Sequence, residues 1–376
     1  MPFTILPDAD VRRLLRTLSA GDIAALLRTL EDALVQYSTQ DEKQYQPHRA
    51  VVARPDGQVS LFMPATTPQQ IGVKIVGISP PVDPATLPPG TNPPPSLKSV
   101  LTLCDAAGNA LGVLNAAEVT GFRTALGSMS LFVPRRCTEN IVVFGAGKQA
   151  FWHILLATRL RGEDIRRVTV VNRSAERTQA LLGALRDADV PSHIRITAFA
   201  NTSDDGHDNA QRELEDLLVG ADVIFCTTGS KKALFPARFL TSPRAQKKRR
   251  YIAAVGSYRL DMMEIDTELL QAVADPSGVF STHVWKGTVA VDTRDGCVQE
   301  AGELVAAGIR PDQMVELGEI QHQQRTAAAP RELGEWLQSG FVVYKSVGTG
   351  IMDISVSQKL LALAQSKGVG QYIQDF

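Results

Sequence analysis

The chain is poor in the residues that build metal centres and disulfide frameworks. Its four cysteines, Cys104, Cys137, Cys226 and Cys297, lie far apart among 376 residues and form no CxxC pair. Buried reduced thiols are the expectation. His48, His153, His193, His207, His283 and His322 are isolated, and HExxH is absent. No Cys/His pair has metal-ligand spacing, so no metal site is expected. An excess of either charge is also missing: the formal net charge is -1, which gives no electrostatic case for nucleic acid or an anionic membrane. No apolar run approaches a membrane span. The first residues lack a signal peptide's apolar core and instead place Arg12, Arg13 and Arg16 on a short amphipathic helix. Gln374-Asp375-Phe376 matches no address signal, and a cytoplasmic location is the expectation. Lys247-Lys248-Arg249-Arg250 has the composition of a nuclear signal, but it abuts the strand-like Tyr251 to Val255 and reads as a solvated loop.

What remains is an ordinary globular composition, 44% hydrophobic and 21% charged, of a length that suits two domains. Gly21 to Tyr37 has Ile23, Leu26, Leu27, Leu30 and Leu34 on one helical face. Ala50 to Arg54 and Val59 to Met63 flank Pro55-Asp56-Gly57, a hairpin signal. Ile71 to Ile78 is another strand, and Val100 to Cys104 and Leu111 to Leu114 flank a turn. Such hairpins point to a first domain that is not a dinucleotide fold. Ser79 to Pro95 is proline-dense, which forbids helix or central strand; it reads as an exposed polyproline-like loop, with a substrate lid as the alternative. Glu118 to Phe132 is helical. From Asn140 strands and helices alternate, through Val168 to Val171, Ala175 to Ala188, Ile194 to Ala198, Arg212 to Leu218 and Val223 to Cys226. That alternation predicts a doubly wound parallel sheet. Asn201 to Asn209 is a polar loop. Phe341 to Val347, then a helix from Asp353 to Gln365, are read as returning to the first domain.

The most informative feature is Gly145-Ala146-Gly147-Lys148-Gln149-Ala150. It follows the apolar run Ile141 to Phe144 and precedes the helical stretch Phe151 to Leu160. Gly145 permits the tight turn, Gly147 lets the backbone approach a pyrophosphate, and Ala150 is small enough for the helix to pack on the strand. Bare N–H groups at the helix start then face the anion. The residue ending the next strand reads the adenosine ribose. An acidic residue there favours NAD, but this chain has Asn172-Arg173-Ser174, with no carboxylate before Glu176. Arg173 can pair with a 2′-phosphate, and Asn172 and Ser174 can donate to it, so NADP is preferred and NAD remains open. The other reading is a helix cap by Ser174 beside a solvated arginine.

Several ordered blocks resemble the ornithine cyclodeaminase/mu-crystallin family over nearly the whole length. They are Arg123-Thr124-Ala125, Phe144 to Ala150, Thr227-Thr228, and Val255-Gly256-Ser257 through Arg259, Asp261 and Glu264-Ile265-Asp266. Val291-Asp292-Thr293-Arg294, Glu300-Ala301-Gly302-Glu303 and Lys345-Ser346-Val347-Gly348 follow. The resemblance implies a Rossmann doubly wound parallel sheet, residues 126–344, inserted into a second α/β substrate-binding and dimerisation domain, residues 1–125 with 345–376, and a homodimer formed through that outer domain. It further implies that Arg49, Lys74 and Arg123 surround the carboxylate and nitrogen of an amino-acid-like or imino-acid substrate. Thr227, Thr228, Val255, Lys345, Val347 and Gly348 would approach the cofactor. The residues alone leave other readings open: an edge lysine at Lys74, surface ion pairs at Arg49 and Arg123, ordinary strand ends and turns elsewhere. Physically, a carboxylate taken out of water needs opposite charge and directed donors, which an arginine fork supplies.

Two chemistries occur on the resembled scaffold. Reductases pass hydride from NAD(P)H to the C=N bond of a cyclic or N-substituted imino acid; the cyclodeaminase branch oxidises an amino acid, loses ammonia and returns the hydride to the ring. That branch has an aspartate where Tyr258 stands here, in Gly256-Ser257-Tyr258, whereas Asp261 matches the reductase-like loop. An NAD(P)H-dependent ketimine reductase is therefore the expectation. An ornithine cyclodeaminase-type lyase and a non-catalytic NADPH-dependent small-ligand binder are the alternatives.

Overall fold

The computed structural model describes residues 2–80, 97–200, 208–326 and 329–376. Residues 81–95 of the expected proline-dense loop (79–95) and residues 201–207 of the expected polar loop (201–209) lie outside them. Fifteen strands run along the described residues: β1 (Phe3–Leu6), β2 (Ala50–Ala53), β3 (Val59–Thr67), β4 (Gln70–Ile78), β5 (Leu97–Asp105), β6 (Ala110–Asn115), β7 (Asn140–Phe144), β8 (Arg167–Asn172), β9 (Arg195–Ala200), β10 (Val223–Cys226), β11 (Tyr251–Ala254), β12 (Val289–Val291), β13 (Met314–Glu316), β14 (Val342–Lys345) and β15 (Gln371–Ile373). They divide between two units: Met1–Leu18, Gln40–Arg123 and Gly350–Phe376 form the first, Ser19–Thr39 and Thr124–Thr349 the second.

The first unit holds a seven-stranded sheet in the order β15-β1-β6-β5-β4-β3-β2. The hairpin around Pro55-Asp56-Gly57 forms between β2 and β3, with Arg54 N donating to Gln58 O at 2.8 Å. Side chains alternate along β4: Gln70, Gly72, Lys74 and Val76 are buried, while Ile71 and Ile75 point to the exposed face. Helix Gly350–Ser366 lies against the buried side of β3 and β4. Its approach depends on a missing side chain. A Cβ at Gly72 would come within 2.6 Å of Ile354 Cγ2.

The second unit holds an eight-stranded parallel sheet, β13-β12-β14-β11-β10-β7-β8-β9. Parallel strands are covered on both faces, and β7 and β10 read accordingly as unbroken apolar runs. Their side chains Val142, Phe144, Ile224 and Cys226 join Ile252, Ala254 and Val343 in the core. From β7 the chain winds to β8 and β9 on one side, then returns to β10 and β11 on the other. The order reverses between β7 and β10, so their carboxyl ends open the crevice where such sheets bind ligands.

Three readings are corrected. The segment Phe341 to Val347 does not return to the first unit: β14 runs parallel between β11 and β12 at the centre of the second sheet, because its four residues are buried and paired on both sides. Arg250 is not in a solvated loop. Its fully buried guanidinium donates to the carbonyls of Leu218, Val219, Ala245 and Lys248. Among the cysteines only Cys226 and Cys297 are buried; Cys137 is exposed in the turn before β7. Helix Ala20–Thr39 packs within the second unit against helix Leu317–Arg325, where Gly318 leaves no room for a Cβ beside the Leu34 carbonyl. Glu31 and Asp32 add ion pairs to Arg325 at 3.3 and 2.5 Å. Gly318→Ala is expected to force these helices apart and destabilise the protein by about 1–3 kcal/mol. A urea midpoint equal to that of the parent would show that this contact does not hold the helix.

Candidate functional site

In the second unit the glycine turn has the form its sequence requires. Gly145 sits at φ +107°, a backbone conformation that side chains strain, and a Cβ there would lie 2.8 Å from Thr227 Oγ1 and 3.0 Å from Thr228 Cγ2. Thr227 Oγ1 donates to Phe144 O at 2.7 Å, locking the ends of β7 and β10 together. Gly147 faces open space: a Cβ there would meet nothing within 4 Å. It is the N-cap of helix Lys148–Arg161, and no side chain caps that end. Ala150 is buried, Lys148 is exposed, and Gln149 keeps a buried Oε1 without a partner. The residues present fit a dinucleotide: a cradle that only glycine permits, beside a helix start offering its N–H groups to an anion.

At the end of β8, Ser174 caps helix Ala175–Arg186, its Oγ accepting from Arg177 N at 3.2 Å. That leaves the hydroxyl proton free to donate. Asn172 is less available, since its Nδ2 donates to Ser174 O at 2.9 Å and reaches Thr178 Oγ1 at 3.4 Å. Arg173 is exposed and makes no ion pair among the described residues.

The loops after β10, β11 and β14 are shaped by carboxylates that the sequence motifs contained but to which they gave no role. Fully buried Asp292 accepts from Ser346 Oγ (2.7 Å), Val347 N (3.1 Å) and Gly348 N (2.6 Å), as well as from Thr293 N (2.9 Å). Glu264 accepts from Thr228 N (2.7 Å), Gly256 N (2.6 Å) and Ser257 N (3.2 Å), tying two strand ends together just beyond Val255. Burial raises its carboxyl to about 7, against the attraction of Lys345. The Lys345 ammonium is fully buried and directed at Ser257 Oγ (2.5 Å), Ser257 O (2.6 Å) and Glu303 Oε1 (3.1 Å). Lys345 therefore braces this loop cluster from beneath.

In the first unit the strand lysine and the helix arginine come together around a residue that sequence reasoning missed. Lys74 Nζ lies 2.5 Å from Asp353 Oδ2, and Arg123 Nε lies 2.8 Å from Asp353 Oδ1. The three are buried, at 2%, 3% and 1% exposure, so neither the edge-lysine nor the surface-pair reading applies to Lys74 and Arg123. Arg49, half-buried just before β2, is near enough for its charge to act on Lys74. Burial, opposed by Asp353 and assisted by Arg123 and Arg49, brings the Lys74 ammonium down to about 8. Burial works against the Asp353 anion, but the Arg123 and Lys74 cations prevail and hold its carboxyl below the usual range. The cluster thus carries one anion against three basic groups, an excess of positive charge that an entering carboxylate would partly offset. A signal for Asp353 existed: it is the single charge in the apolar run Gly350 to Val356.

Comparison with known proteins shows the family and the fold. The ornithine cyclodeaminase/mu-crystallin family pattern matches residues 8–367. The chain is 27% identical to a Delta(1)-pyrroline-2-carboxylate reductase of Colwellia psychrerythraea, over 67% of this chain and 70% of that protein. In fold it is similar to the Thermococcus litoralis Delta(1)-pyrroline-2-carboxylate reductase, solved with NADH and L-proline, with a TM-score of 0.71, 17% identity and coverage of 99% and 100%. It is similar likewise to a lysine cyclodeaminase, with a TM-score of 0.72, 16% identity and coverage of 100% and 96%. Among the described residues no cluster of ligating side chains could hold a metal ion, and no helix is long and apolar enough to cross a membrane. Asp292→Asn leaves an amide against donors that now share a carboxylate, and a loss of about 1–3 kcal/mol is expected. Unchanged thermal unfolding would remove Asp292 from the account of the Ser346 to Gly348 loop.

Proposed function

From the premise that the chain belongs to the ornithine cyclodeaminase/mu-crystallin family, we propose that it is an NAD(P)H-dependent reductase of the C=N bond of a cyclic or N-substituted imino acid. The buried cluster in which Lys74 and Arg123 both meet Asp353 carries this reading. Arg49 and Arg123 take the substrate carboxylate; Arg123 Nη2 makes no hydrogen bond among the described residues and is the free edge of that fork. Lys74 lies beside the imine nitrogen and supplies the proton which that nitrogen gains when the C=N bond, with hydride added to its carbon, becomes a secondary amine. An ammonium near 8 suits this work, being mostly protonated at neutral pH yet able to release its proton. A bound nicotinamide supplies the hydride accepted by the imine carbon. Gly145, Gly147, Lys148, Gln149 and Ala150 would hold its pyrophosphate. Thr227, Thr228, Val255, Val347 and Gly348 would line its other half, with Lys345 acting through Ser257.

Exposed Arg173 and the Ser174 hydroxyl support NADPH over NADH; Asn172 adds little, its amide being engaged. The cyclodeaminase reading is weakened at Tyr258, which stands where that branch has its aspartate; Asp261, which matches the reductase-like loop, is exposed and paired with Lys231 (3.1 Å) and Arg259 (2.9 Å).

The open face of the first sheet supports a homodimer. Phe62 faces Ile75 across β3 and β4, with Ile71 on the same side, each more than a third exposed. Apolar side chains grouped on one sheet face suit a contact with a second copy of the chain. Light scattering on the intact protein should give twice the chain mass, and Ile71→Lys with Ile75→Lys should give a monomer. A monomeric parent would end the dimer reading.

For the reaction, NADPH oxidation is expected with five- and six-membered cyclic ketimine carboxylates, faster than with NADH, and Arg173→Ala should remove about ten- to a hundredfold of that preference. Lys74→Met should lower kcat about a hundredfold or more with coenzyme affinity retained. Unchanged turnover in that variant would take the lysine out of the mechanism, and proline plus ammonia from ornithine with catalytic NAD+ would replace the reductase by the lyase.

A further inference from the structure

The substrate site just proposed is assembled from opposite ends of the chain. Lys74 comes from the middle of β4 and Arg123 from helix Ala116–Phe132. Asp353 comes from the first turn of helix Gly350–Ser366, 279 residues beyond Lys74 in sequence. Neither cation would hold its place alone. A lysine on a sheet's buried face, between Met63 of β3 and Leu101 of β5, has only apolar cross-strand neighbours. Without a counter-charge its ammonium would be driven to the neutral form. The charged groups facing it are few: Asp353 from the terminal helix, Arg123 from the helix Ala116–Phe132, and Arg49 from the segment before β2. Two of these are cations, so Asp353 is the one group that favours the ammonium.

The distance at which Asp353 acts is fixed by helix-to-sheet packing. Ile354, its chain neighbour, presses on Gly72, which shares the buried face of β4 with Lys74 two residues away. Any side chain at Gly72 would lift this turn of the helix from the strand.

Resting on the reductase reading for its functional meaning, we infer that Asp353 is the positioning residue of the substrate site. It holds the Lys74 ammonium and the Nε edge of Arg123 in fixed relation, keeps Lys74 protonated at the pH of turnover, and turns the remaining guanidinium edge towards the substrate carboxylate. Asp353 itself does not touch the reacting atoms. The Gly72–Ile354 contact is the gauge that sets its reach.

The direct test is a ¹³Cε-lysine NMR titration of the intact protein, with the Lys74 signal identified by its loss in Lys74→Arg. In the parent, Lys74 should titrate near 8. Removing the anion disfavours the ammonium, so in Asp353→Asn the midpoint should fall by about one pH unit or more. The alkaline break of kcat/KM should fall by the same amount, with NADPH affinity unmoved. Asp353→Glu keeps the charge but misplaces it by a methylene; it should retain the Lys74 midpoint within about half a unit while kcat falls roughly tenfold. Should Asp353→Asn fail to fold, Gly72→Ala keeps every charge while its Cβ presses on Ile354 of the helix and on the Thr102 carbonyl of β5, and the Lys74 midpoint should again fall. An unmoved Lys74 titration in Asp353→Asn, or in Gly72→Ala if that is the variant that folds, overturns the inference. The two proposals separate cleanly. The expected titration in a protein that oxidises no NADPH would sink the reductase and leave the Asp353 role standing, whereas turnover with an unmoved titration would do the reverse.

Discussion

A carboxylate removed from water must find its donors within the fold, and this requirement organises both units. Leaving such an anion unpaired costs several kcal/mol or more, so each buried acid dictates the position of whatever surrounds it. Asp292 gathers the Ser346 to Gly348 turn around itself, Glu264 ties the residues after β10 to those after β11, and Glu303 meets Lys345 and Ser257. Asp353 does the same work in the other unit for Lys74 and Arg123. These acids sit at 0–1% exposure, where neither water nor salt can stand in for a protein partner.

The same constraint acts differently on two buried lysines. Lys345 and Lys74 are both buried lysines at strand positions facing a carboxylate. Lys345 is enclosed by a serine, a carbonyl and a carboxylate, and its charge is fully committed. Lys74 has one anion and two nearby cations, so its proton is held loosely. Burial alone does not mark a reactive lysine; the balance of charges around it does. Close approach is the second constraint. Gly145 lets the ends of β7 and β10 meet, and Gly72 lets a helix come down onto β4. In both places the absent side chain fixes where a neighbouring polar group stands.

Much of the molecule was legible from pattern. The buried runs Ile141 to Phe144 and Val223 to Cys226, alternating with helices, specified the parallel sheet, since only strands covered on both faces are apolar throughout. The Pro55-Asp56-Gly57 hairpin was equally plain, because turn residues act through local backbone geometry. Less was legible where strands are three or four residues long. β12 and β13 are too short to display a period, and β14, read as returning to the first unit, owes its place to partners on either side. Cys137 and Arg250 were misjudged for a related reason: exposure is a property of the surroundings and not of the residue type.

The sequence by itself determined the dinucleotide turn and the alternation of strands and helices, because both rest on local geometry; Arg49, Lys74 and Arg123 became candidates only through the family resemblance, since the residues alone left other readings open. Tertiary structure alone decided that Lys74 and Arg123 share one counter-ion, that Asn172 is already engaged, and that Lys345 points inward. Those are questions of which groups meet after the chain has closed on itself. Residues hundreds of positions apart are brought within hydrogen-bond distance only by packing, and the protonation of a buried lysine follows from the charges that packing leaves beside it.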